Sequence, residues 1–393
     1  MSPKLPAPKG VPKLPELKAP RPKSLPKGAI GVALGLTAAG LTAAAGFAAD
    51  RLNRDRRLAL ELDKELTVDP FHDDPDEEHT VHAADGVALH VEVDLPRGPD
   101  GELVSDPRPT IVLSHGYCLS SRAWVFQRRA LREAGYRVVL WDQRGHGRSG
   151  TGEPDSYDIA QLGSDLEHVL AAVVPTGPIV LVGHSMGGMT MMSLALNFPE
   201  VVSQRVVGAA FVATSPGNLA GTTYGIPLLG RFISRLAPPT TVLLSGRQGL
   251  VDGTIRATRD VVDLLVDWGS FGSPVPMSIA QLTTDMIFGT RMDVISAFMP
   301  KFEAMDQREA LQRFDGIEAL VLSGMQDRLT PPSHSDEIVR HLPGAEHVLI
   351  PDAGHVIMLE HPDVLNEQLL ALAERATRSG ATPADSHTLR RKS

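Results

Sequence analysis

In Ile179-Val180-Leu181-Val182-Gly183-His184-Ser185-Met186-Gly187-Gly188, a run of four apolar residues passes straight into a Gly-x-Ser-x-Gly turn. Such a run, rich in β-branched side chains, describes a strand buried on both faces. Beyond the turn the sequence continues as a helix, with Met186, Met189, Met191 and Met192 as packing residues. A sharp strand-to-helix reversal puts Ser185 at its apex, in a strained conformation with the hydroxyl exposed. Gly183 and Gly187 flank it because a β-carbon at either place would collide across the turn. The N–H that follows the serine, that of Met186, points to where negative charge would develop on a carbonyl under attack.

A serine hydroxyl needs a base to become a nucleophile, and the base needs a group to orient it. Downstream, Ala319-Leu320-Val321-Leu322-Ser323-Gly324 is another apolar run ending in a turn, and Asp327 follows in the loop. A third run, His347-Val348-Leu349-Ile350, leads through Pro351-Asp352-Ala353 into Gly354-His355. Ser185, Asp327 and His355 therefore all fall just beyond strands, where an open parallel sheet gathers its site. Upstream, Thr110-Ile111-Val112-Leu113-Ser114 ends in His115-Gly116-Tyr117, and the Tyr117 N–H would join that of Met186 as a second oxyanion donor. Removing one such donor typically raises a barrier by about 3 kcal/mol.

These segments resemble the α/β-hydrolase superfamily, in the serine-nucleophile branch of esterases, lipases and cofactor-free haloperoxidases. The likeness is carried by Ser114-His115-Gly116-Tyr117, Asp142-Gln143-Arg144-Gly145-His146-Gly147-Arg148-Ser149, Gly183 to Gly188, Gly324 to Asp327 and Gly354-His355, in that order. It runs from about residue 78 to about residue 377. The resemblance implies an α/β fold, with a mostly parallel central sheet flanked by helices and a helical cap inserted after the sixth strand. It implies the chain order nucleophile, acid, histidine, which Ser185, Asp327 and His355 satisfy. Epoxide hydrolases and haloalkane dehalogenases share the fold and the turn at 142–149 but carry Asp as nucleophile; Ser185 argues against both activities.

The other polar residues of these motifs are read as structural. His184 packs or hydrogen-bonds, His115 shapes its loop, and Asp142, Arg144 and His146 build a turn near the site. Cys118 is read as a small buried hydrophobe. Gly145, Gly147 and Gly150 match G-x-G-x-x-G, but the turn runs into Thr151-Gly152-Glu153-Pro154 instead of opening a helix, which is the wrong setting for a dinucleotide.

Composition agrees. The chain has 393 residues, 42% of them hydrophobic, a net charge of −9 and one cysteine. A sizeable core is available, an intrachain disulfide is excluded, and an overall basic footprint for nucleic acid is lacking. No zinc-type Cys/His spacing and no phosphate loop occur, so neither cofactor nor metal is expected.

Along the chain, residues 1–28 are Pro- and Lys-rich and are read as a disordered arm. Residues 29–49 carry no charge and are long enough to span a bilayer. A membrane anchor is the preferred reading; the others are a signal peptide cut near Ala43-Ala44-Ala45 and a soluble arm. Basic residues on both sides (Lys18, Arg21, Lys23, Lys27; Arg51, Arg54, Arg56, Arg57) give no orientation. The expected location is thus membrane-associated or exported, and cytoplasmic if 29–49 do not insert. Residues 50–77 form a linker. The core opens with a hairpin, Thr80 to Val93, turning at Asp85-Gly86. Parallel strands are expected at 110–114, 137–142, 178–183, 206–213, 318–323 and 346–350. The core comprises 78–214 and 313–378, with 215–312 as the cap and 379–393 as a disordered tail. Leu228, Leu229, Phe232, Trp268, Phe271, Met277, Phe298 and Met299 give that cap an apolar character.

The expected chemistry is hydrolysis of a small-molecule carboxylic ester with an apolar acyl or alcohol group, through an acyl-enzyme on Ser185. Perhydrolysis of the haloperoxidase kind, and thioester or amide hydrolysis, would use the same three residues. A non-catalytic ligand-binding scaffold is the alternative of a different class. Sequence is silent on oligomeric state.

Overall fold

The computed structural model describes residues 71, 73–98, 100–103, 108–219 and 266–380. The arm 1–28, the apolar segment 29–49, most of the linker and residues 220–265 of the expected cap lie outside them, as does the tail beyond Gly380. Among the described residues no helix is long and apolar enough to cross a membrane.

Eight strands form one sheet: β1 (Glu77–His82), β2 (Ala88–Asp94), β3 (Thr110–Ser114), β4 (Val138–Trp141), β5 (Ile179–His184), β6 (Val206–Val212), β7 (Glu318–Gly324) and β8 (Glu346–Ile350). Their order is β1-β2-β4-β3-β5-β6-β7-β8. Only β1 with β2 and β2 with β4 are antiparallel; every other pair is parallel. The hairpin is closed as its Asp-Gly sequence demands, with Gly86 at φ +85° and its N–H bonded to the Ala83 carbonyl at 2.9 Å.

Helices cover both faces, so the central strands are apolar throughout. Period-two alternation sorts each strand between two cores. Ile111, Leu113, Val180 and Val182 face one, with Leu365, Leu369, Leu372 and Ala376 of α9 (Pro362–Gly380). Val112, Ile179, Leu181 and Phe211 face the other, with Leu166, Val169, Leu170 and Val173 of α2 (Ile159–Val173) and Met191, Met192 and Leu194 of α3 (Met186–Asn197). The same faces carry α1 (Val125–Glu133), α4 (Pro199–Arg205), α7 (Pro332–His341) and the short α8 (Ile357–Glu360). Helix α2 starts where Asp158 caps it, its carboxylate accepting the Ala160 N–H at 2.9 Å.

Between β6 and β7 the described residues are helical at 266–270, in α5 (Met277–Gly289) and in α6 (Met292–Ala304). Of the two helical sequence patterns expected within the cap, at 255–267 and 279–288, the second falls inside α5, while all but the last two residues of the first lie outside the described residues. Val294, Phe298 and Phe302 of α6 form a third apolar cluster with Met186, Met189 and Tyr157. Helix α6 therefore packs over the start of α3, at the sheet end where the loops of β3, β5, β7 and β8 converge.

Candidate active site

Ser185 has φ +50° and ψ −115°, a conformation outside the regions open to ordinary residues. The surroundings impose it. Its N–H donates to the Val212 carbonyl at 3.0 Å, and its carbonyl accepts the Thr214 hydroxyl at 2.6 Å. A β-carbon on Gly187 would lie 2.1 Å from the Ser114 carbonyl oxygen, and one on Gly183 would lie 2.5 Å from the Gly187 backbone. Ser185 stands at the N-cap of α3, a position where serine usually bonds the helix N–H groups, yet its side chain makes no such bond. The hydroxyl is thus left for other partners. In contrast to the open apex expected, the residue is only 2% exposed. Its neighbour Met186 is buried in the cluster that α6 completes.

The loop after β3 lies directly against this turn. A β-carbon on Gly116 would sit 2.5 Å from His184 Nδ1 and 3.2 Å from Ser185 Cβ. The loop turns at once, with Leu119 N–H bonded to the Gly116 carbonyl at 3.1 Å and Cys118 at φ +59°. As the first residue of α3, Met186 has an N–H with no acceptor within its helix. The Tyr117 hydroxyl donates to the Ile295 carbonyl of α6 at 2.6 Å, and its ring meets Phe298 and Phe302 edge-on. His115 is buried and shapes the loop. Its Nδ1–H donates to the Gly116 carbonyl at 2.7 Å and its Nε2 accepts the Gln143 N–H at 2.9 Å. Burial pushes its pKa down to about 4. The Cys118 thiol is buried too, and burial raises its pKa, so it stays protonated.

On the other side, Asp327 and His355 meet. The imidazole Nδ1 lies 2.8 Å from Asp327 Oδ2, with the side chains 6% and 0% exposed. A carboxylate at Nδ1 fixes the proton there and leaves Nε2 with its lone pair. Asp327 is itself held by its own turn: Oδ1 accepts the N–H groups of Leu329 and Thr330, each at 2.8 Å. The Thr330 hydroxyl lies 2.8 Å from Oδ2 and 2.9 Å from the Ala213 carbonyl. The two sides are joined through the chain neighbour of Ser185. His184 Nε2–H donates to the His355 carbonyl at 2.9 Å, and the two rings are 4.8 Å apart. Burial, with His355 nearby, holds His184 well below the ordinary histidine range, so it is a neutral bridge.

The segment 142–149 is a built turn. Asp142 accepts the N–H groups of Ser121 at 2.7 Å and Arg148 at 2.8 Å, and a β-carbon on Gly147 (φ +52°) would strike its carboxylate. Arg144 makes a two-pronged pair with Asp165 of α2 at 2.6 and 2.7 Å and reaches Asp85 of the hairpin turn at 2.8 Å. Breaking such a buried pair costs about 3–5 kcal/mol. His146 Nδ1–H donates to the Arg144 carbonyl at 2.9 Å, and burial followed by the neighbouring His115 pushes its pKa to about 3. Among the described residues no cluster of His, Cys, Asp and Glu is arranged to hold a metal.

Sequence reasoning missed Thr330, which bonds Asp327, Arg328, which ties the acid loop to Trp268 and Phe271, and Glu360, which bonds the histidine loop. Thr330 had a weak signal, as the third residue after an acid in a turn. Trp268, expected within the apolar cap, is 44% exposed and lies under the Arg328 guanidinium, 4.9 Å from its carbon.

A model of the alpha/beta hydrolase family matches residues 111–368. The chain belongs to that family. It is similar to the mouse sn-1-specific diacylglycerol lipase ABHD11, with 30% identity across 65% of this chain and 77% of that protein. It is similar also to an Escherichia coli 2-hydroxy-6-oxononadienedioate/2-hydroxy-6-oxononatrienedioate hydrolase, with 28% identity across 68% of this chain and 87% of the relative. Among solved structures, an esterase from Exiguobacterium antarcticum superposes with a TM-score of 0.60 at 18% identity, over 76% of this chain and all (100%) of that one, a likeness of fold. The family and its hydrolytic members make this chain an enzyme with hydrolase activity.

Proposed function

We propose that this hydrolase cleaves a carboxylic ester with an apolar acyl or alcohol group, through an acyl-enzyme on Ser185. The supporting observation is the His355–Asp327 pair at 2.8 Å, tied through His184 to a serine locked at φ +50°. In this reading Ser185 Oγ attacks the carbonyl carbon, and His355 Nε2 takes its proton and returns it to the leaving alcohol. Asp327 keeps the Nδ1–H tautomer and stabilises the imidazolium. The N–H groups of Tyr117 and Met186 hold the oxyanion, and water activated by His355 then releases the acid. The diacylglycerol lipase relative, an enzyme acting on an ester of apolar acyl chains, supports the ester assignment. The phenylalanines of α6 beside Tyr117 support an apolar pocket, with 215–312 as a cap over it.

A fluorophosphonate probe tests this on the full chain. Labelling of wild type and none of Ser185→Ala is the expected result, with hydrolysis reduced on the order of 10⁶-fold in the variant. Equal labelling of both proteins would remove Ser185 from the mechanism. A folded wild type that never labels would favour a ligand-binding scaffold.

A further inference from the structure

The loop that carries His355 is held by a buried carboxylate with no place in the chemistry above. Glu360 closes α8, and its side chain is fully buried (0% exposed). Every group that bonds it is a donor. Oε1 accepts the N–H of Gly272 at 2.8 Å, the N–H of Ser273 at 2.5 Å and the Ser273 hydroxyl at 2.7 Å. Oε2 accepts the N–H of Gly354, the residue before His355, at 2.6 Å. One carboxylate thus joins the histidine loop to the strap at 268–273, which lies within the segment between β6 and β7. His361 Nε2 lies 3.8 Å from Oε1.

The strap returns the contact. The Ser270 carbonyl accepts the N–H groups of both His355 at 2.8 Å and Val356 at 2.9 Å. The two backbones touch without slack: a β-carbon on Gly354 would lie 2.5 Å from the Gly272 nitrogen, and one on Gly272 would lie 2.7 Å from the Ala353 carbonyl carbon. The strap also reaches the acid. Arg328, next to Asp327, donates to the carbonyls of Trp268 at 2.6 Å and Phe271 at 3.2 Å. The chain neighbours of Asp327 and of His355 are therefore fastened to the same six residues.

We propose that Glu360 is a positioning residue for His355, setting the height of the imidazole against Asp327 and Ser185 through Gly354 and the strap. This rests on the reading of His355 as the general base. A desolvated carboxylate is a demanding way to join two loops unless its position matters, because burying a charge is costly unless it is fully hydrogen-bonded. Four donors meet its two oxygens, so no neutral side chain of the same size satisfies them all. An amide at 360 would turn an N–H toward an N–H.

The test uses the full chain and a chromogenic ester, with active sites titrated by fluorophosphonate so that kcat is counted per reactive serine. Glu360→Gln keeps the size and loses an acceptor. Glu360→Asp keeps the charge and draws it back by one methylene. Small misplacements of a catalytic group cost up to about 100-fold, so both variants are expected to lose about 10- to 100-fold in kcat with KM within about twofold. Ser273→Ala, which removes one donor, is expected to lose kcat severalfold and stands in if the Glu360 variants do not fold. Thermal unfolding is recorded alongside. A lowered melting temperature with kcat per titrated site unchanged would reduce Glu360 to a structural pin and overturn the proposal. His355→Ala separates the two levels. If it keeps wild-type activity, the base assignment falls and this inference with it. If it is inactive while the Glu360 and Ser273 variants turn over normally, only this inference falls.

Discussion

Around Ser185 the contacts that leave no room run from main chain to main chain. The Gly187 α-carbon faces the Ser114 carbonyl, Gly183 faces the Gly187 backbone, and the Ser185 N–H is bonded to β6. Around Asp327 and His355 much of the support comes from side chains: the Thr330 hydroxyl, the Glu360 carboxylate and the Arg328 guanidinium. The Ser185 side, the nucleophile side of the proposed mechanism, belongs to the sheet and inherits its rigidity. The Asp327–His355 side, the acid–base side of the proposed mechanism, is assembled from loops and from a strap between β6 and β7. A hydrolase built this way can alter how its histidine is presented without disturbing its serine.

Three substitutions or conditions probe that contrast. The largest effect is expected from Asp327→Asn. The amide oxygen can still accept from Leu329 and Thr330, so the fold should survive. Its N–H₂ facing His355 Nδ1 would force the wrong tautomer, and kcat/KM should drop about 10⁴-fold. Circular dichroism and ester kinetics on one preparation check this; full activity would detach Asp327 from the mechanism. Next is Gly187→Ala, where the added methyl meets a backbone carbonyl that cannot rotate away. A loss of about 3 kcal/mol or more in urea unfolding is expected, at the upper end of overpacking effects. A wild-type midpoint would show that the nucleophile side is more yielding than its contacts imply.

The smallest effect is acid sensitivity of the nucleophile side. His115 and His146 are buried and neutral, with pKa values lowered to about 4 and about 3. Unfolded, each would take up a proton below about pH 6.5. Their contribution is therefore complete above about pH 6.5 and is lost as pH falls toward the folded values, by up to about 1.4 kcal/mol per pH unit for each group. Urea unfolding at pH 7.5 and pH 6 should show a loss of about 1–2 kcal/mol for the two groups together, and His115→Gln should flatten it. A slope that His115→Gln leaves unchanged would locate the acid sensitivity elsewhere.

The same contrast governs what could be read beforehand. The strands and the Ser185 turn were legible because steric demands write themselves locally: a glycine where a β-carbon cannot fit, β-branched runs where both faces are buried. Every parallel strand was located to within a residue or so for that reason. The motif from Asp142 to Ser149 was legible as a turn, yet its partners Asp85 and Asp165 were not, since pairing across 59 and 21 residues leaves no local mark. Asp327 and His355 could be named from strand ends, but their supports could not. Glu360 lies five residues beyond His355 and looks like any helix-terminal acid. Helix α6, which buries Met186, also went unnamed, and with it the enclosure of Ser185.

The two proposed oxyanion donors belong to the peptide chain at residues 117 and 186 and to neither side chain. Substitution cannot delete them, short of proline. They would thus survive exchange of the Tyr117 side chain, bonded to Ile295 and set among the phenylalanines of α6, or of the buried Met186 thioether. On the proposed mechanism, the element that stabilises charge would therefore pass unchanged through substitutions that reshape the side chains around it.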